Sequence, residues 1–149
     1  AYILGEHGDT EFPVWSHANI GGLQLYEWIK QNDETVDEDE LLEVFYSVRD
    51  AAYRIIEKKG ATFYGIAVSL ARITKAIFND ENAILPLSVY LDGEYGQHDV
   101  FIGVPAVINR DGIRKAIEIP LTDVEKGNLQ HSADTLRKVI KDSFAELDV

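Results

Sequence analysis

Between Val36 and Lys59 the apolar residues Leu41, Phe45, Val48, Ala52, Ile55 and Ile56 recur every three or four positions, the spacing of a stripe along one helix face. Asp37 followed three residues later by Glu40 has the form of a capping box, and Gly60 is placed to end the helix, so a single helix is expected over this span. Phe63, Ile66, Ala67, Leu70, Ile73 and Ile77 repeat the period with little polar surface. They predict a second helix from about Thr62 to Asn79, buried on most sides. The period then changes. Ile84 to Leu91, Val100 to Ile108 and Ile113 to Pro120 are rich in Val, Ile and Tyr, and the breaks between them, Asp92-Gly93-Glu94-Tyr95-Gly96 and Asn109-Arg110-Asp111-Gly112, read as hairpin turns. Pro105 falls inside the second of these strands, where it removes a ladder donor, and so predicts an edge position or a bulge. Leu129, Ala133, Leu136, Val139, Ile140 and Phe144 mark a closing helix from Thr122 to about Leu147, with Asp123 and Glu125 in its first turn. The resulting class is α+β, long helices packed on an antiparallel meander, not the alternation of a doubly wound sheet.

The 149 residues, 46% of them apolar, suffice for one domain with a core of ordinary size. No stretch approaches the roughly 20 apolar residues that a bilayer span requires, and no charged-then-apolar leader opens the chain, so a soluble, non-secreted protein is expected. The formal net charge of -12 argues against nucleic-acid binding, which needs clustered Lys and Arg. Much of that charge lies in the run from Asn32 to Glu40, expected to be a solvated loop leading into a helix start. The chain has no cysteine, which excludes disulfides and Cys-based metal sites. It also has no methionine and begins at Ala1 with strand-like residues, so it is expected to be a piece of something longer.

The candidate chemistry stands at the start. Tyr2, Ile3 and Leu4 read as the end of a buried strand, followed by Gly5-Glu6-His7-Gly8-Asp9. The two glycines allow a sharp turn, so His7 can emerge from a strand end into a cleft. Imidazole is the side chain suited to give and take a proton near neutral pH. By residue type alone, a histidine in a turn is also satisfied by a structural role. Asp9, two residues on, is a possible partner for the ring or a turn residue bonding backbone amides, and Glu6 reads as backbone-facing or at a pocket edge. His17, His98 and His131 lack metal-ligand spacing and are expected to be surface or structural, so no metal site is expected.

Extended through Thr10-Glu11-Phe12-Pro13-Val14-Trp15-Ser16, the segment closely resembles the active-site signature of L-lactate dehydrogenases, within the lactate/malate dehydrogenase family. Lys59-Gly60-Ala61-Thr62-Phe63-Tyr64-Gly65-Ile66-Ala67 resembles a second family segment at the family's spacing. The similarity covers residues 1–149 and matches the family's carboxyl-terminal, substrate-binding and catalytic domain. The amino-terminal nucleotide-binding domain is expected to be absent, and no Gly-x-Gly-x-x-Gly turn of a Rossmann domain occurs.

The resemblance implies an NAD-dependent oxidoreductase interconverting pyruvate and L-lactate, serving glycolysis and fermentation in the cytoplasm as a homotetramer. It implies His7 as proton donor and acceptor, oriented by an aspartate from a segment preceding this chain. Thr62 would border the substrate's side chain, and Ile66 would pack against the nicotinamide. By position alone Thr62 is a helix cap in the first turn and Ile66 a core residue. The arginines that grip the substrate match none of Arg49, Arg54, Arg72, Arg110, Arg114 and Arg137, and the chain by itself is expected to be inactive. Fructose 1,6-bisphosphate is a possible effector, bound in many bacterial members partly by a histidine that would precede Ala1. Alternatives are another L-2-hydroxyacid dehydrogenase, for hydroxyisocaproate or malate, or a fragment acting only as an assembly module.

Overall fold

A computed structural model describes residues 1–32, 35 and 37–145. The chain opens with two short hairpins, β1 (Ile3–Leu4) with β2 (Phe12–Pro13) and β3 (Asn19–Ile20) with β4 (Leu23–Gln24), which runs into the short helix α1 (Leu25–Gln31). Helices α2 (Glu38–Arg49), α3 (Ala51–Lys59) and α4 (Tyr64–Phe78) follow. Strands β5 (Ala83–Asp92), β6 (His98–Asn109) and β7 (Gly112–Ala116) form an antiparallel sheet in that order, and α5 (Asp123–Ala145) closes the described chain. The meander and the closing helix lie where the sequence pattern puts them, except that the third strand, expected to reach Pro120, ends at Ala116. Helix α1 and the hairpin before it leave no pattern in the sequence, because seven residues carry too little of a helical period to be read.

Three expectations need correction. The helix expected over 36–59 is two helices meeting at Asp50, whose carboxylate accepts from Arg49 Nε at 2.8 Å while the Arg54 guanidinium donates to the Ser47 carbonyl at 2.5 Å. Such local side-chain partners offer the backbone an alternative to an unbroken helix. Asp37 does cap α2, accepting from the Asp39 N–H at 3.0 Å, and Gly60 ends α3 in the left-handed region at φ 79°. Asp33, Glu34 and Val36 of the acidic run lie outside the described residues, as does the end of the closing helix beyond Ala145.

The second correction concerns α4. Only Ala76 is buried, and Tyr64, Ile66, Val68, Leu70 and Phe78 are exposed, Phe78 by 81%. Its apolar residues outnumber the positions that this domain's sheet can cover, since α4 lies against β6 alone among the strands it approaches closely. The helix starts at Tyr64 with Phe63 in the capping position and no side-chain cap, so Thr62 precedes the helix instead of capping its first turn.

The third correction is Pro105, which lies in the central strand with no bulge beside it; the register shift falls between Val107 and Ile108. Pro105 faces Pro86 across the β5–β6 pair, and its carbonyl accepts from the Ile117 N–H at 2.7 Å on the β7 side. A strand residue presents its N–H and C=O to the same side, so Pro86 needs nothing from Pro105 and the lost donor faces only Ile117. There the Tyr95 hydroxyl takes over, donating to the Ile117 carbonyl at 2.7 Å and accepting from the Ile119 N–H at 2.9 Å. Proline thus ends the β6–β7 ladder, and a tyrosine from the preceding turn satisfies the backbone left over.

The core lies between this sheet, α5 and the opening segment. Val89 and Leu91 of β5 and Val100, Ile102, Val104 and Ala106 of β6 share a cluster with Leu129 and Ala133 of α5. Leu4, Phe12 and Val14 complete it from the amino-terminal side, which brings the signature segment into the core's wall. Replacing Tyr95 by Phe strands the Ile117 carbonyl and the Ile119 N–H, and is expected to cost the full-length protein about 1–3 kcal/mol, read from the urea midpoint at unchanged m-value.

Candidate active site

The signature loop joins the sheet through bare backbone. Gly5 and Gly103 exchange two hydrogen bonds, Gly5 N–H to Gly103 O at 3.0 Å and Gly103 N–H to Gly5 O at 2.9 Å. A Cβ on Gly103 would lie 2.7 Å from the Gly5 carbonyl oxygen, and Gly5 itself has φ 108° with Ser132 Oγ 2.8 Å from where its Cβ would be. Neither residue can carry a side chain without moving its neighbour.

His7 follows two residues later, its side chain fully exposed. Its Nδ1 is 3.6 Å from Glu11 Oε2, just beyond hydrogen-bond range, and the Glu11 side chain is only 11% exposed. Asp9, the candidate by proximity in sequence, points elsewhere: its carboxylate accepts from the Tyr53 hydroxyl of α3 at 3.3 Å. The negative charge of Asp9 and this hydrogen bond push the Tyr53 phenol above its ordinary value. Asp9 therefore ties the loop to α3 and bonds neither the ring nor nearby amides.

Glu6 is turned inward on the loop. Its Oε2 accepts from the Thr10 hydroxyl at 2.8 Å and the Thr10 N–H at 3.2 Å, while its own N–H donates to Ser132 Oγ of α5 at 2.6 Å. The Thr10 and Ser132 hydroxyls lie 3.1 Å apart, and Ser132 is fully buried. About two turns nearer the start of α5, on the same face, Glu125 holds the loop's far end. Its carboxylate accepts from the Ser16 N–H (3.2 Å) and hydroxyl (2.7 Å), and from the Thr122 N–H (2.9 Å) and hydroxyl (3.0 Å). Burial pushes the Glu125 carboxyl up, but the donors from Thr122 and Ser16 outweigh it and leave the group below its usual range.

A cleft of about 750 Å3 opens beside the loop, lined by Glu6, His7 and Glu11 on one side, Arg49 and Ala52 on another, and Phe101 of the sheet. The imidazole therefore stands at the rim of a largely apolar cavity. Arg49 contributes the guanidinium there; it is bonded to Asp50 and lies 4.8 Å from the Tyr46 ring centroid. Thr62 and Ile66 do not line this cleft: Thr62 is half-buried just before α4, and Ile66 is 56% exposed on α4. His17 Nδ1 lies 3.0 Å from the Ser16 hydroxyl and His98 Nδ1 3.1 Å from Asp92, and His131 is exposed. Among the described residues no group of three His, Cys, Asp or Glu side chains is placed to hold a metal.

Sequence reasoning missed Glu11, Glu125 and Ser132. Glu125 and Ser132 share the stripe of Leu129, Ala133 and Leu136, and polar residues on an apolar face were the available signal.

Residues 1–147 match the family model described as lactate/malate dehydrogenase, alpha/beta C-terminal domain. L-lactate dehydrogenase 1 of Enterococcus faecalis is 67% identical over 148 residues, 99% of this chain and 45% of that protein. The L-lactate dehydrogenase of Lacticaseibacillus casei is 64% identical over 149 residues, again 45% of its length. Among solved structures, the minor L-lactate dehydrogenase from Enterococcus mundtii in its ligands-bound form superposes with a TM-score of 0.89 at 44% identity, over 95% of this chain and 45% of that one. The chain thus spans about half the length of the relatives it matches.

Gly103→Ala is expected to push the loop off the sheet, lowering stability by about 1–3 kcal/mol, as checked by denaturant unfolding. Glu125 predicts a pH dependence: its folded-state value lies below the ordinary 4.5, so its stabilisation is present above that value and is lost as pH falls through the folded one. The urea midpoint of Glu125→Gln should fall short of the parent's at pH 7, and the gap should close on acidification.

Proposed function

Because the chain belongs to the lactate/malate dehydrogenase family as its alpha/beta C-terminal domain, we propose that it is the substrate side of an NAD-dependent L-lactate dehydrogenase interconverting pyruvate and L-lactate. The observation that carries the reading is His7: an imidazole fully open to solvent, at the rim of the cleft, on a loop whose backbone is fixed from both sides. A histidine kept for packing would be covered by its own domain.

The protonated His7 ring would donate to the carbonyl oxygen of pyruvate as the carbonyl carbon is reduced, and would take the proton back from the hydroxyl of lactate in the reverse direction. Bound NADH would supply the hydride, leaving NAD+. The residues present fit only one end of that cofactor. Ile66 offers an exposed apolar side chain to a flat ring, whereas the chain has no glycine-rich turn to cradle phosphates. Thr62, small and half-buried beside the start of α4, would border the substrate's methyl group. Glu11 lies nearest the ring in this domain, and a carboxylate from the rest of the enzyme would approach its open side.

The exposed apolar residues of α4 support the same reading, since Tyr64, Val68 and Leu70, on different sides of the helix, are left uncovered here and would be covered by the rest of the enzyme and neighbouring subunits of a homotetramer. On this reading the enzyme would act in the cytoplasm, within glycolytic fermentation.

In the full-length enzyme, His7→Asn is expected to cut pyruvate reduction by at least about 100-fold while NADH binding stays nearly intact. Unchanged turnover would end the assignment. A panel of pyruvate, oxaloacetate and ketoisocaproate is expected to give the highest kcat/KM for pyruvate; a preference for either of the others would move the reading to a malate or hydroxyisocaproate enzyme.

A further inference from the structure

The three hydrogen bonds where α5 meets the loop have only one consistent set of proton positions. The Glu6 carboxylate can only accept, so the Thr10 hydroxyl spends its proton on Glu6 Oε2 at 2.8 Å. In the 3.1 Å contact between hydroxyls, Ser132 must then be the donor and Thr10 Oγ1 the acceptor. Ser132 Oγ in turn accepts from the Glu6 N–H at 2.6 Å. The circuit closes: Glu6 N–H to Ser132, Ser132 to Thr10, Thr10 back to the Glu6 carboxylate. It ties both ends of the five-residue span 6–10 to a single buried oxygen of α5.

His7 is inside that span, and among the described residues its side chain has no anchor besides the 3.6 Å approach to Glu11. The pose of the ring is therefore set by its backbone. We propose that Ser132 is a positioning residue for proton transfer, the closed circuit through Glu6 and Thr10 holding the loop so that the His7 ring meets the substrate oxygen. This rests on His7 being the proton donor. Ser132 is fully buried and touches no substrate; it acts through the loop alone. Displacements on the order of 1 Å can cost roughly 100-fold in rate, so a circuit that fixes a five-residue turn is felt in kcat before it is felt in binding.

The test uses the full-length dehydrogenase. Ser132→Ala should lower kcat for pyruvate about 10- to 100-fold, leave the NADH dissociation constant within about two-fold, and raise the isotope effect on kcat with deuterated NADH, because the chemical step becomes slow. Thr10→Val breaks the same circuit from the loop side and should behave alike, and the double variant should lose little more than either single one. Ala133→Gly weakens the same turn of α5 without touching the circuit, and should lower the thermal midpoint while keeping kcat. Parental kcat in both circuit variants, strictly additive losses, or an equal loss of kcat in Ala133→Gly would each overturn the proposal. Unchanged turnover in His7→Asn would instead remove the reading beneath it.

Discussion

The paired amides of Gly5 and Gly103 are the contact on which the arrangement turns. They make the first residue of the histidine loop a sheet member, bonded to the central strand along the edge that β7 has vacated. Pro105 is where that edge changes hands: on one side of it β7 pairs with β6, and two residues away Gly5 does. The missing proline N–H thus has a structural consequence beyond ending a ladder, since it frees the edge for the loop.

Helix α5 works as a clamp with two kinds of force. Burying Leu129 contributes roughly 1.5–3 kcal/mol, more than any one of the neutral hydrogen bonds, each worth about 0.5–1.5 kcal/mol net. Apolar burial therefore supplies the adhesion. The polar groups on the same face, Glu125 at Ser16 and Ser132 at Glu6 and Thr10, decide which register of loop against helix is adopted. A slip by one turn would strip the Glu125 carboxylate of its two Ser16 donors and leave the Glu6 and Ser16 amides without their partners, a polar cost that the apolar contacts do not offset.

Helices α2, α3 and α4 show the opposite balance. Their stripes are as apolar as those of α5, yet Ile55, Ile66 and Leu70 are exposed within this domain, and Val48 is half-exposed on the wall of the cleft. Only a few side chains connect this layer to the loop, such as Tyr53 with Asp9, so the wall of the cleft opposite His7 is held more lightly than the loop itself. In the enzyme we propose, that layer is the surface shared with the remainder of the molecule.

The amino-acid order by itself determined the α+β class, the three meander strands and their turns, the last helix, and the loop that presents His7, because each depends on local periodicity or on glycine at a turn. It also carried the family signature. What tertiary structure alone decided is which apolar stripe is covered, where Pro105 falls in the sheet, the break at Asp50, and the partners of Asp9, Glu11, Glu125 and Ser132. These are matters of distance between segments as far apart as Glu6 and Ser132, and periodicity along a chain reports which face is apolar without reporting what lies against it.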